Sequence, residues 1–306
     1  MPAVVSGSSA WTPSPAGSAV AIGNFDGVHL GHREVLARLG AHAARLGAPS
    51  VVYTFDPAPT AVVAPSRHQP RILTLPDRIR YLGAAGVDVV VVEPFTRAYA
   101  GHPARWFAEE VLGRRLGARV VVVGYDFRFG MDRRGDAQFL RATVPAMEVD
   151  EVGAVALGGE AASSSRIRKL VAAGDVVGAA TLLGRPHRLR GTVVEGDQRG
   201  RTIGFPTANL DNEVELLPGD GVYAVLASVD GGPPAPGVMN IGMRPTFAGA
   251  VRRIEVHLLD GAGDLYGHEL AVDLVARLRG EVRFDGVEAL VDQIRRDITA
   301  ARAVLR

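Results

Sequence analysis

The chain has 306 residues, enough for two domains of ordinary size, each with its own hydrophobic core. Hydrophobic residues make up 47% of the chain and charged residues 22%, which is typical of globular proteins. There is no cysteine, which excludes disulfides, thiolate metal ligands and cysteine nucleophiles, so a metal ion would need oxygen or imidazole ligands. The formal net charge is +1 and the basic residues form no long tract, so we expect no nucleic-acid partner.

The first 18 residues contain no basic segment and no continuous apolar segment, so we interpret them as a loose leader and not as a signal peptide. No apolar stretch of the sequence is long and uncharged enough to span a bilayer. We therefore expect a cytoplasmic protein without a membrane partner. A homo-oligomer is compatible with the sequence.

Residues 23–32, with the sequence GNFDGVHLGH, form the most informative segment of the first half of the chain. They follow an apolar run, residues 19–22, that is typical of a buried strand, and they precede a segment with apolar residues at helical spacing. Gly23 and Gly27 allow a tight backbone path at this strand-to-helix turn. The helix that begins there directs unpaired N–H groups and its positive dipole end into the turn. We therefore expect the turn to bind polyphosphate.

Two histidines lie in the same segment. His29 and His32 fall on one face of the first helical turn, and Gly31 leaves room between them. Imidazoles in this position can donate hydrogen bonds to phosphate oxygens and stabilise the charge that grows as pyrophosphate leaves. An isolated pair at this spacing more often faces solvent, but its position after a strand and a glycine turn favours phosphate chemistry.

The segment resembles the signature of the H-x-G-H nucleotidyltransferases. In the form G-x-F-D-G-V-H-x-G-H it is similar to the adenylyltransferase half of the prokaryotic bifunctional riboflavin kinase/FAD synthetases. The resemblance implies that His29 and His32 act on the transferring phosphates. It also implies a set of nucleotide- or flavin-binding residues in the turn, which are Gly23, Asn24, Phe25, Asp26 and Gly31.

Helical segments and apolar strands alternate through the first half of the chain. Strands are predicted in residues 49–57, 87–95 and 118–123, and helices in residues 75–86 and 104–116. Strands that are apolar at consecutive positions and separated by helices indicate a parallel sheet covered on both faces. We predict an α/β, Rossmann-like nucleotidyltransferase domain whose ligand lies beyond the carboxyl ends of the strands.

One further segment follows a predicted strand end. Residues 124–130, GYDFRFG, combine aromatic and glycine residues that suit packing on a planar ring. A hydrophobic plug beneath a loop is the alternative interpretation. The segment resembles the family's G-x-D/N-F-x-F-G motif, which implies nucleotide or flavin contacts for Asp126 and Phe127.

A serine run enters a short helix at residues 163–170, SSSRIRKL. Its hydroxyl and N–H groups can cap the helix and bind phosphate, and Arg168 can add a charge-assisted contact to the same oxygens. In isolation this pattern is an ordinary helix cap with exposed arginines. It resembles the family's S-S/T-x-x-I-R motif, which implies nucleotide contacts for Ser163, Ser164 and Ser165 and a catalytic role for Arg168.

Three residues depart from the family's pattern. Ala58 follows the strand-end sequence Phe-Asp-Pro, where the family commonly has a histidine near the nucleotide or flavin. Tyr125 stands where an acidic residue is frequent, and Ser165 replaces a threonine but keeps the hydroxyl group. Ala58 favours an alternative in which the adenylyltransferase half is weak or uses another nucleotide.

The pattern changes after a predicted helix over residues 170–184. Short β-like runs with many Gly and Pro residues follow, which is typical of a small antiparallel barrel. The apolar residues of segment 284–305 fall on one helix face, so a single amphipathic helix is predicted to close the barrel. We place the domain boundary between residues 184 and 185.

Gly204, Pro206, Thr207 and Asn209 belong to the segment GFPTAN. The proline fixes the backbone ahead of a hydroxyl and an amide, which are hard oxygen donors that Mg²⁺ accepts beside ATP phosphates. Taken alone, the segment signals only a turn. It resembles the P-T-A-N signature of riboflavin kinases, which implies nucleotide or flavin binding by these four residues and metal binding by Thr207 and Asn209.

Glu255 lies in an alternating strand, in which Ile254, Val256 and Leu258 define one face and leave Glu255 and His257 on the other. A carboxylate near the ATP γ-phosphate could orient and deprotonate a primary hydroxyl, which is the acid–base task of kinase chemistry. A glutamate on the barrel surface is the structural alternative. The resemblance to riboflavin kinases assigns the role of catalytic base to Glu255.

The two motif sets occur in the family's order over nearly the whole chain. The resemblance implies that residues 185–306 phosphorylate riboflavin with Mg²⁺ and ATP to give FMN. It implies that residues 1–184 transfer AMP from ATP to FMN, which gives FAD and pyrophosphate. Two alternatives are a working kinase with a weak or altered adenylyltransferase half, and a flavin-binding regulator without turnover. The expected partners are small molecules: ATP, riboflavin and FMN.

Overall fold

The computed structural model describes residues 1–196, 199–246, 249–261 and 263–306. Internal contacts divide the chain into two compact units, Met1–Ser163 and Ser164–Arg306. The first unit contains a six-stranded parallel sheet, and the second contains a closed six-stranded antiparallel barrel followed by a helix. The predicted fold class is confirmed for both halves of the chain.

The first unit alternates strands and helices. Its strands are β1 Ala3–Ser6, β2 Ser18–Ile22, β3 Ser50–Asp56, β4 Val89–Pro94, β5 Ala118–Gly124, β6 Glu148–Val152, β7 Ala156–Leu157 and β8 Glu160–Ala161. Its helices are α1 Leu30–Leu46, α2 Pro59–Val63, α3 Leu75–Ala84, α4 Arg97–Ala100, α5 Ala104–Trp106 and α6 Ala137–Thr143, with short 3₁₀ turns at Ser8–Ala10, Pro65–Arg67 and Met131–Arg133. Helix α5 continues as a π-helix, Phe107–Arg115.

The large sheet has the strand order β1-β4-β3-β2-β5-β6, and all neighbouring strands are parallel. All five residues of β2 are buried because both faces of the sheet are covered. One core cluster of this unit includes Tyr53, Leu112 and Leu140, whose side chains are fully buried. The consecutive apolar positions that predicted these strands therefore reflect burial on both faces.

The strand order reverses direction at β2. From β2 the chain adds β3 and β4 on one side, and it then returns to add β5 and β6 on the other. In open parallel sheets, ligands bind outside the carboxyl ends of the strands at such a switch point. The GNFDGVHLGH turn follows β2, and the GYDFRFG segment follows β5. The topology therefore puts both motifs at the edge where a ligand is expected.

The interpretation of the first residues as a loose leader is wrong for residues 3–6. These residues form β1, an edge strand that pairs with β4 from Ala3 opposite Val89 to Ser6 opposite Val92. The strand has four residues, and most of their side chains are exposed. Since backbone pairing and not side-chain burial holds β1, its sequence pattern resembles that of a loop.

The second unit begins with two helices and continues as a barrel. Its strands are β9 His187–Val194, β10 Ala208–Asn212, β11 Gly221–Val229, β12 Ala235–Thr246, β13 Gly249–Leu258 and β14 Glu269–Arg279. Its helices are α7 Ser164–Ala173, α8 Val176–Leu183, α9 Arg199–Thr202 and α10 Val287–Val304. In the described part of the chain, no helix is both long enough and apolar enough to cross a membrane.

The barrel has the strand order β10-β13-β12-β11-β14-β9, and pairing of β9 with β10 closes it. Its core includes Tyr223, Met239 and Val256, which are fully or almost fully buried. Because successive residues of a strand point to opposite faces, Glu255 and His257 lie on the outer face of β13. This alternation agrees with the predicted orientation of Glu255.

The single helix predicted over residues 170–184 is wrong, because the structure has two helices there. Helix α7 ends before Gly174, whose φ of 81° is strained for any residue other than glycine. Asp175 then caps α8 by accepting a hydrogen bond from the Gly178 N–H at 2.8 Å. Both helices group with the barrel in the contact-based division at Ser163 and Ser164. The functional boundary between residues 184 and 185 stays a prediction.

Candidate functional site

The GNFDGVHLGH turn joins β2 to α1 with an unusual backbone. Gly27 has a φ of 93°, and two residues with side chains, Phe25 and Val28, have φ values of 48° and 40°. Such left-handed conformations cost free energy and persist only where the surrounding structure enforces them. The side chains of Phe25 and Val28 are buried at 2% exposure, so packing enforces this path. The turn is therefore a preorganised feature of the first unit.

His29 is the N-cap residue of α1. Its Nδ1 accepts a hydrogen bond from the His32 N–H at 3.4 Å. An imidazole that accepts at Nδ1 carries its proton on Nε2 when neutral, so Nε2–H is the group that can donate to a ligand oxygen. The two rings stack with their centroids 3.7 Å apart. The structure thus brings together both histidines predicted from the motif.

Gly31 leaves room for the His29 ring. A Cβ atom at residue 31 would stand 3.2 Å from the His29 Cε1 and 3.2 Å from the Ala162 carbonyl oxygen. Gly23 has a related role, because a Cβ atom there would stand 3.3 Å from the ring of Phe25. Phe25, predicted to contact nucleotide or flavin, is buried beneath the turn and packs against His32 at 5.2 Å.

Asp26 and Asn24 hold the turn to neighbouring segments. The Asp26 carboxylate accepts hydrogen bonds from the Ile72 N–H at 3.0 Å and the Leu73 N–H at 3.2 Å. The Asn24 carbonyl accepts a hydrogen bond from Arg78, while the Asn24 side chain lies at an exposed position of the turn. Both residues therefore have a positioning role in addition to the ligand contacts predicted for them.

Arg78 on α3 is a functional residue that the sequence reasoning missed. Its Nη1 donates to the Asn24 carbonyl at 2.9 Å, and its Nη2 donates to the Phe55 carbonyl at 3.0 Å. The side chain is 5% exposed, and this burial lowers the pKa of the guanidinium below its ordinary value, an effect that the carboxylates of Asp26 and Asp56 oppose. Arg78 thus fastens the turn to the end of β3.

The GYDFRFG segment after β5 separates into exposed and buried residues. Tyr125 and Asp126 are exposed, whereas Phe127 is half-buried and stacks on Phe129 with the ring centroids 5.3 Å apart. Phe129 packs in the core of the unit. The segment therefore combines the two interpretations of its sequence, because part of it is a hydrophobic plug and part is available to a ligand.

A buried polar cluster lies near the carboxyl ends of β3 and β4. Glu93 accepts hydrogen bonds from the Tyr53 hydroxyl at 2.6 Å and from the Ser8 N–H at 2.8 Å, and the Tyr53 and Tyr99 hydroxyls meet at 2.6 Å. Burial raises the pKa of both tyrosines above its ordinary value, so both hydroxyls stay protonated. The cluster fixes the start of the segment that follows β4.

Ala58 and the serine run lie where the chain order requires. Ala58 follows β3 and is the N-cap residue of α2, without a side-chain cap hydrogen bond. Ser163 is the last residue of the first unit, whereas Ser164, Ser165 and Arg168 lie on α7 of the second unit. The serine run therefore begins a helix, as predicted.

The second unit carries a cavity of about 430 Å³ on the outer face of the barrel. One row of paired residues crosses five neighbouring strands: Asn209 pairs with Glu255, Glu255 with Asn240, Asn240 with Val222, and Val222 with Arg279. All five line the cavity. Because paired residues on adjacent strands project from the same face, the predicted base and the predicted metal ligand Asn209 stand side by side.

The cavity is lined by both polar and apolar side chains. The polar lining includes Thr207, Asn209, Asn240, Glu255 and His257. The apolar lining includes Val222 and Val238 of the barrel, Phe284, and Leu290, Ile294 and Ile298 of α10. This volume and arrangement suit a flat aromatic ring whose polar tail reaches the row that contains Glu255.

Gly196 and Gly200 allow the segment before β10 to fold closely. A Cβ atom at Gly196 would stand 2.0 Å from the Asn209 Nδ2, and one at Gly200 would stand 2.3 Å from the Phe205 carbonyl oxygen. The Phe205 N–H donates to the Gly200 carbonyl at 2.8 Å. Gly204 has a φ of 87°, which favours glycine at that position. The predicted ligand-binding segment GFPTAN is therefore a tight, backbone-bonded turn.

An ion pair between two residues that line the cavity joins the barrel to α10. The Arg279 Nε donates to the Asp297 Oδ1 at 3.0 Å, and its Nη2 donates to the Asp297 Oδ2 at 2.8 Å. Gln293 donates to the same carboxylate at 2.8 Å. The pair joins the end of β14 to α10, so it fixes the helix that forms one wall of the cavity.

Two protein-family models match the chain at the positions of the two candidate sites and in the same order. The FAD synthetase family model matches residues 12–166, which include the turn after β2, and the riboflavin kinase family model matches residues 183–305, which include the barrel cavity. The chain belongs to the bifunctional riboflavin kinase/FMN adenylyltransferase family. The family predicted from the two motif sets is confirmed.

Curated relatives of this family match along nearly the whole chain. The bifunctional riboflavin kinase/FMN adenylyltransferase of Escherichia coli K12 is 41% identical over 290 residues, which cover 94% of this chain and 92% of the relative. The corresponding protein of Pseudomonas fluorescens is 42% identical, with 95% and 94% covered. That of Bacillus subtilis 168 is 36% identical, with 92% and 90% covered.

A solved structure has the same fold. A crystal structure described as a macrolide-efflux protein from Streptococcus pneumoniae matches with a TM-score of 0.90 and 33% identity, and the match covers 98% of both chains. This likeness agrees with the parallel sheet and the barrel described above.

The oxygen donors of the P-T-A-N segment show which kind of metal ion this segment could hold. The buried Asn209 Oδ1 has no hydrogen-bond partner within the part of the chain that the structure describes. Such an oxygen and the nearby Thr207 hydroxyl are hard donors, which fit Mg²⁺ better than a softer metal. Among the described residues, no group of three or more His, Asp or Glu side chains is arranged to hold a metal ion. The residues therefore fit a metal that arrives with the nucleotide.

Asn240, His257 and Arg279 are among the cavity residues that the sequence reasoning missed as site residues. Asn240 and Arg279 belong to the same cross-strand row as Glu255. His257 shares the outer face of β13 with Glu255, so strand alternation alone could have identified it. The other two could not be identified, because strand pairing is not visible in one sequence.

Proposed function

We propose that the chain makes FAD from riboflavin in two steps. The second unit phosphorylates riboflavin with MgATP, and the H-x-G-H unit transfers AMP from a second ATP to FMN with release of pyrophosphate. The observation that carries the proposal is the pairing of Asn209 with Glu255 across β10 and β13, in a cavity lined by both polar and apolar side chains. The order of the two matching family models supports the same pair of reactions.

In the kinase step, the riboflavin ring packs on the apolar side chains that line the cavity, and its primary hydroxyl lies at Glu255. The Glu255 carboxylate accepts the hydroxyl proton as the oxygen attacks the γ-phosphorus of MgATP. Thr207 and Asn209 hold the metal ion of the nucleotide, which neutralises charge on the transferring phosphates. Gly204 and Pro206 shape the backbone beside the nucleotide. The bond to the β-phosphate oxygen breaks, and FMN and ADP are the products.

In the adenylyl transfer step, a phosphate oxygen of FMN attacks the α-phosphorus of ATP in line with the departing pyrophosphate. No covalent enzyme intermediate is needed, because the protein positions the phosphates and neutralises their charge. His29 donates from Nε2–H to the transferring phosphates, and His32 and Arg168 complete the charge neutralisation.

Further residues of the motifs contact nucleotide or flavin in this proposal. Gly23, Asn24, Asp26 and Gly31 shape the phosphate-binding turn, and Phe25 supports it from beneath. Ser163, Ser164 and Ser165 offer hydroxyl groups to phosphate, and Asp126 and Phe127 contact the flavin or adenine.

The proposal includes the domain division at residue 184, a cytoplasmic location, and the absence of nucleic-acid or membrane partners. The net charge of +1 and the lack of a long basic tract support the absence of a nucleic-acid partner. A homo-oligomer is compatible with the proposal, and light scattering of the purified chain tests it.

Product analysis by chromatography tests the proposal. The purified chain is incubated with riboflavin, ATP and Mg²⁺, and the expected product is FAD, with FMN as an intermediate. His29→Ala is expected to accumulate FMN, whereas Glu255→Ala is expected to make neither product from riboflavin but to convert added FMN to FAD. FMN that accumulates in the wild-type chain would favour a weak adenylyltransferase half, for which Ala58 is the reason. Binding of flavin without any product would favour a regulator.

A further inference from the structure

His257 lines the kinase cavity, but the reaction described above assigns it no role. It lies two residues after Glu255 on the outer face of β13. On the neighbouring strand β12 it pairs with Val238, another residue that lines the cavity. The imidazole is therefore at the site without being placed at the reacting atoms.

The His257 ring contacts the backbone of the P-T-A-N segment. Its Nδ1 lies 2.8 Å from the Pro206 carbonyl oxygen. A carbonyl oxygen only accepts hydrogen bonds, so Nδ1 must carry the proton in this contact. Both the neutral Nδ1–H tautomer and the imidazolium satisfy this condition. The ring also meets the edge of Phe205, with the centroids 5.8 Å apart and an interplanar angle of 79°.

The Pro206 carbonyl belongs to the peptide bond that precedes Thr207. Strand β10 begins only at Ala208, so the ladder between β10 and β13 does not hold this peptide. In the described part of the chain, no backbone hydrogen bond outside the helices and strands involves the Pro206 carbonyl or the Thr207 N–H. Pro206 is exposed, so burial does not fix it either. The contact from His257 is the side-chain hydrogen bond that restrains this peptide in the described structure.

We propose that His257 is a positioning residue of the kinase reaction. It holds the Pro206–Thr207 peptide against β13, so that the Thr207 hydroxyl stays beside Asn209 and opposite Glu255. The proposal rests on the proposed kinase function of this cavity. It assigns to His257 the orientation of the nucleotide-binding segment and no proton transfer.

Two shape-matched substitutions test the proposal in the full chain. His257→Leu removes the donor, and His257→Asn keeps an amide N–H at the position of Nδ1 with nearly the same side-chain shape as leucine. We expect His257→Leu to lower kcat of the kinase reaction about tenfold and to raise KM for MgATP, because the peptide is no longer held. His257→Asn should recover most of this loss. The FMN adenylyltransferase activity of the same chain should stay unchanged in both variants.

His268→Leu is the matched control. His268 also hydrogen-bonds through Nδ1, at 2.6 Å from the Asp230 Oδ2, but it does not line the cavity. Its loss should leave both activities unchanged. Wild-type kinase kinetics in His257→Leu would overturn the proposal, as would a His257→Asn variant no better than His257→Leu. If His257→Leu does not fold, His257→Asn is compared with His257→Gln, whose amide group lies one bond further from the backbone than the His257 Nδ1. Equal kinase rates of these two variants would overturn the proposal.

A second readout needs neither substrate nor metal. Long-range ¹H–¹⁵N spectra of the metal-free full chain distinguish the two histidine tautomers. We expect His257 to be protonated at Nδ1 at neutral pH, because that atom donates to the Pro206 carbonyl. A neutral Nε2–H tautomer would overturn the inference even in an active enzyme. Lack of kinase activity in the wild-type chain would instead overturn the proposed function, and the tautomer would still be decided separately.

Discussion

His187 makes the stability of the kinase unit depend on pH. The ring is 1% exposed at the start of β9, and its Nε2 donates to the Leu216 carbonyl at 3.0 Å. Its Nδ1 is buried and has no hydrogen-bond partner in the described part of the chain. Burial, with a smaller contribution from Arg185, lowers the pKa of His187 from 6.5 to about 4, although the bond to Leu216 opposes this.

The sign of the effect follows from proton binding. An unfolded chain binds this proton near pH 6.5, whereas the folded unit binds it only near pH 4. Stability from neutral His187 is thus fully present above pH 6.5, and it is lost as the pH falls toward 4. The whole effect is about 3 kcal/mol, of which about 2 kcal/mol is lost between pH 7.5 and 5.0. This is a large fraction of the stability of an ordinary domain.

His187→Gln isolates the contribution, because its Nε2 amide can still donate to the Leu216 carbonyl but does not titrate. Both tryptophans, Trp11 and Trp106, lie in the first unit, so amide exchange of β9 and β11 peptides is the suitable probe of the second. The opening free energy of these peptides should fall more steeply toward pH 5.0 in the wild type than in the variant. Parallel curves of opening free energy against pH for the wild type and the variant would refute the reasoning, as would an NMR-measured pKa near 6.5 for His187.

Three substitutions test the positioning contacts of the two sites. Gly31→Ala should lower FMN adenylyltransferase kcat about tenfold without changing the kinase rate, because the methyl group would press on the His29 ring. Alanine favours helices more than glycine does, so a weaker helix would not explain a lower rate. An unchanged rate would contradict this contact. Arg78→Met should lower the unfolding free energy of the first unit by about 2 kcal/mol in urea titrations and reduce FAD formation, because the Asn24 and Phe55 carbonyls lose the hydrogen bonds that the buried Arg78 donates. A stability equal to wild type would contradict that role. Asp297→Ala should destabilise the second unit by about 3 kcal/mol and raise KM for riboflavin, because Arg279 is left without its buried partner; equal riboflavin KM values would argue against a wall fixed by this pair.

The central strands β2 to β5 could be predicted from the sequence because burial on both faces leaves consecutive apolar residues. Strand β6 lacks this signal, since its sequence EVDEV is largely acidic. In the fold, two side chains of α1 contact its acidic residues: Arg38 and His42 lie 3.0 and 2.8 Å from Asp150. A strand stabilised by contacts from a distant helix has no local pattern that identifies it, because these contacts exist only after folding.

The same limit applies to the helices of residues 164–183. The apolar spacing continues across Gly174 and predicts one helix, but Asp175 competes for the backbone by capping the Gly178 N–H. A helix was predicted over Phe107–Arg115, but its π-helical hydrogen bonds could not be predicted. Such bonds depend on how the helix packs and not on residue type. Sequence patterns predict which face of an element is buried better than they predict how its backbone is bonded.

The two candidate sites share one structural solution that motifs do not reveal. In each, the segment that carries the motif exposes a backbone carbonyl, and a side chain from outside the motif donates to it: Arg78 to Asn24 in the first unit, and His257 to Pro206 in the second. A motif specifies the groups that touch the ligand, whereas these donors specify where the backbone of the motif stands. Because phosphoryl and adenylyl transfer depend mainly on positioning and charge, a small displacement of either segment affects the rate directly. Transfer of the motif residues alone to another sheet or barrel is therefore expected to give ligand binding with little turnover, unless the donor from the neighbouring element is transferred as well.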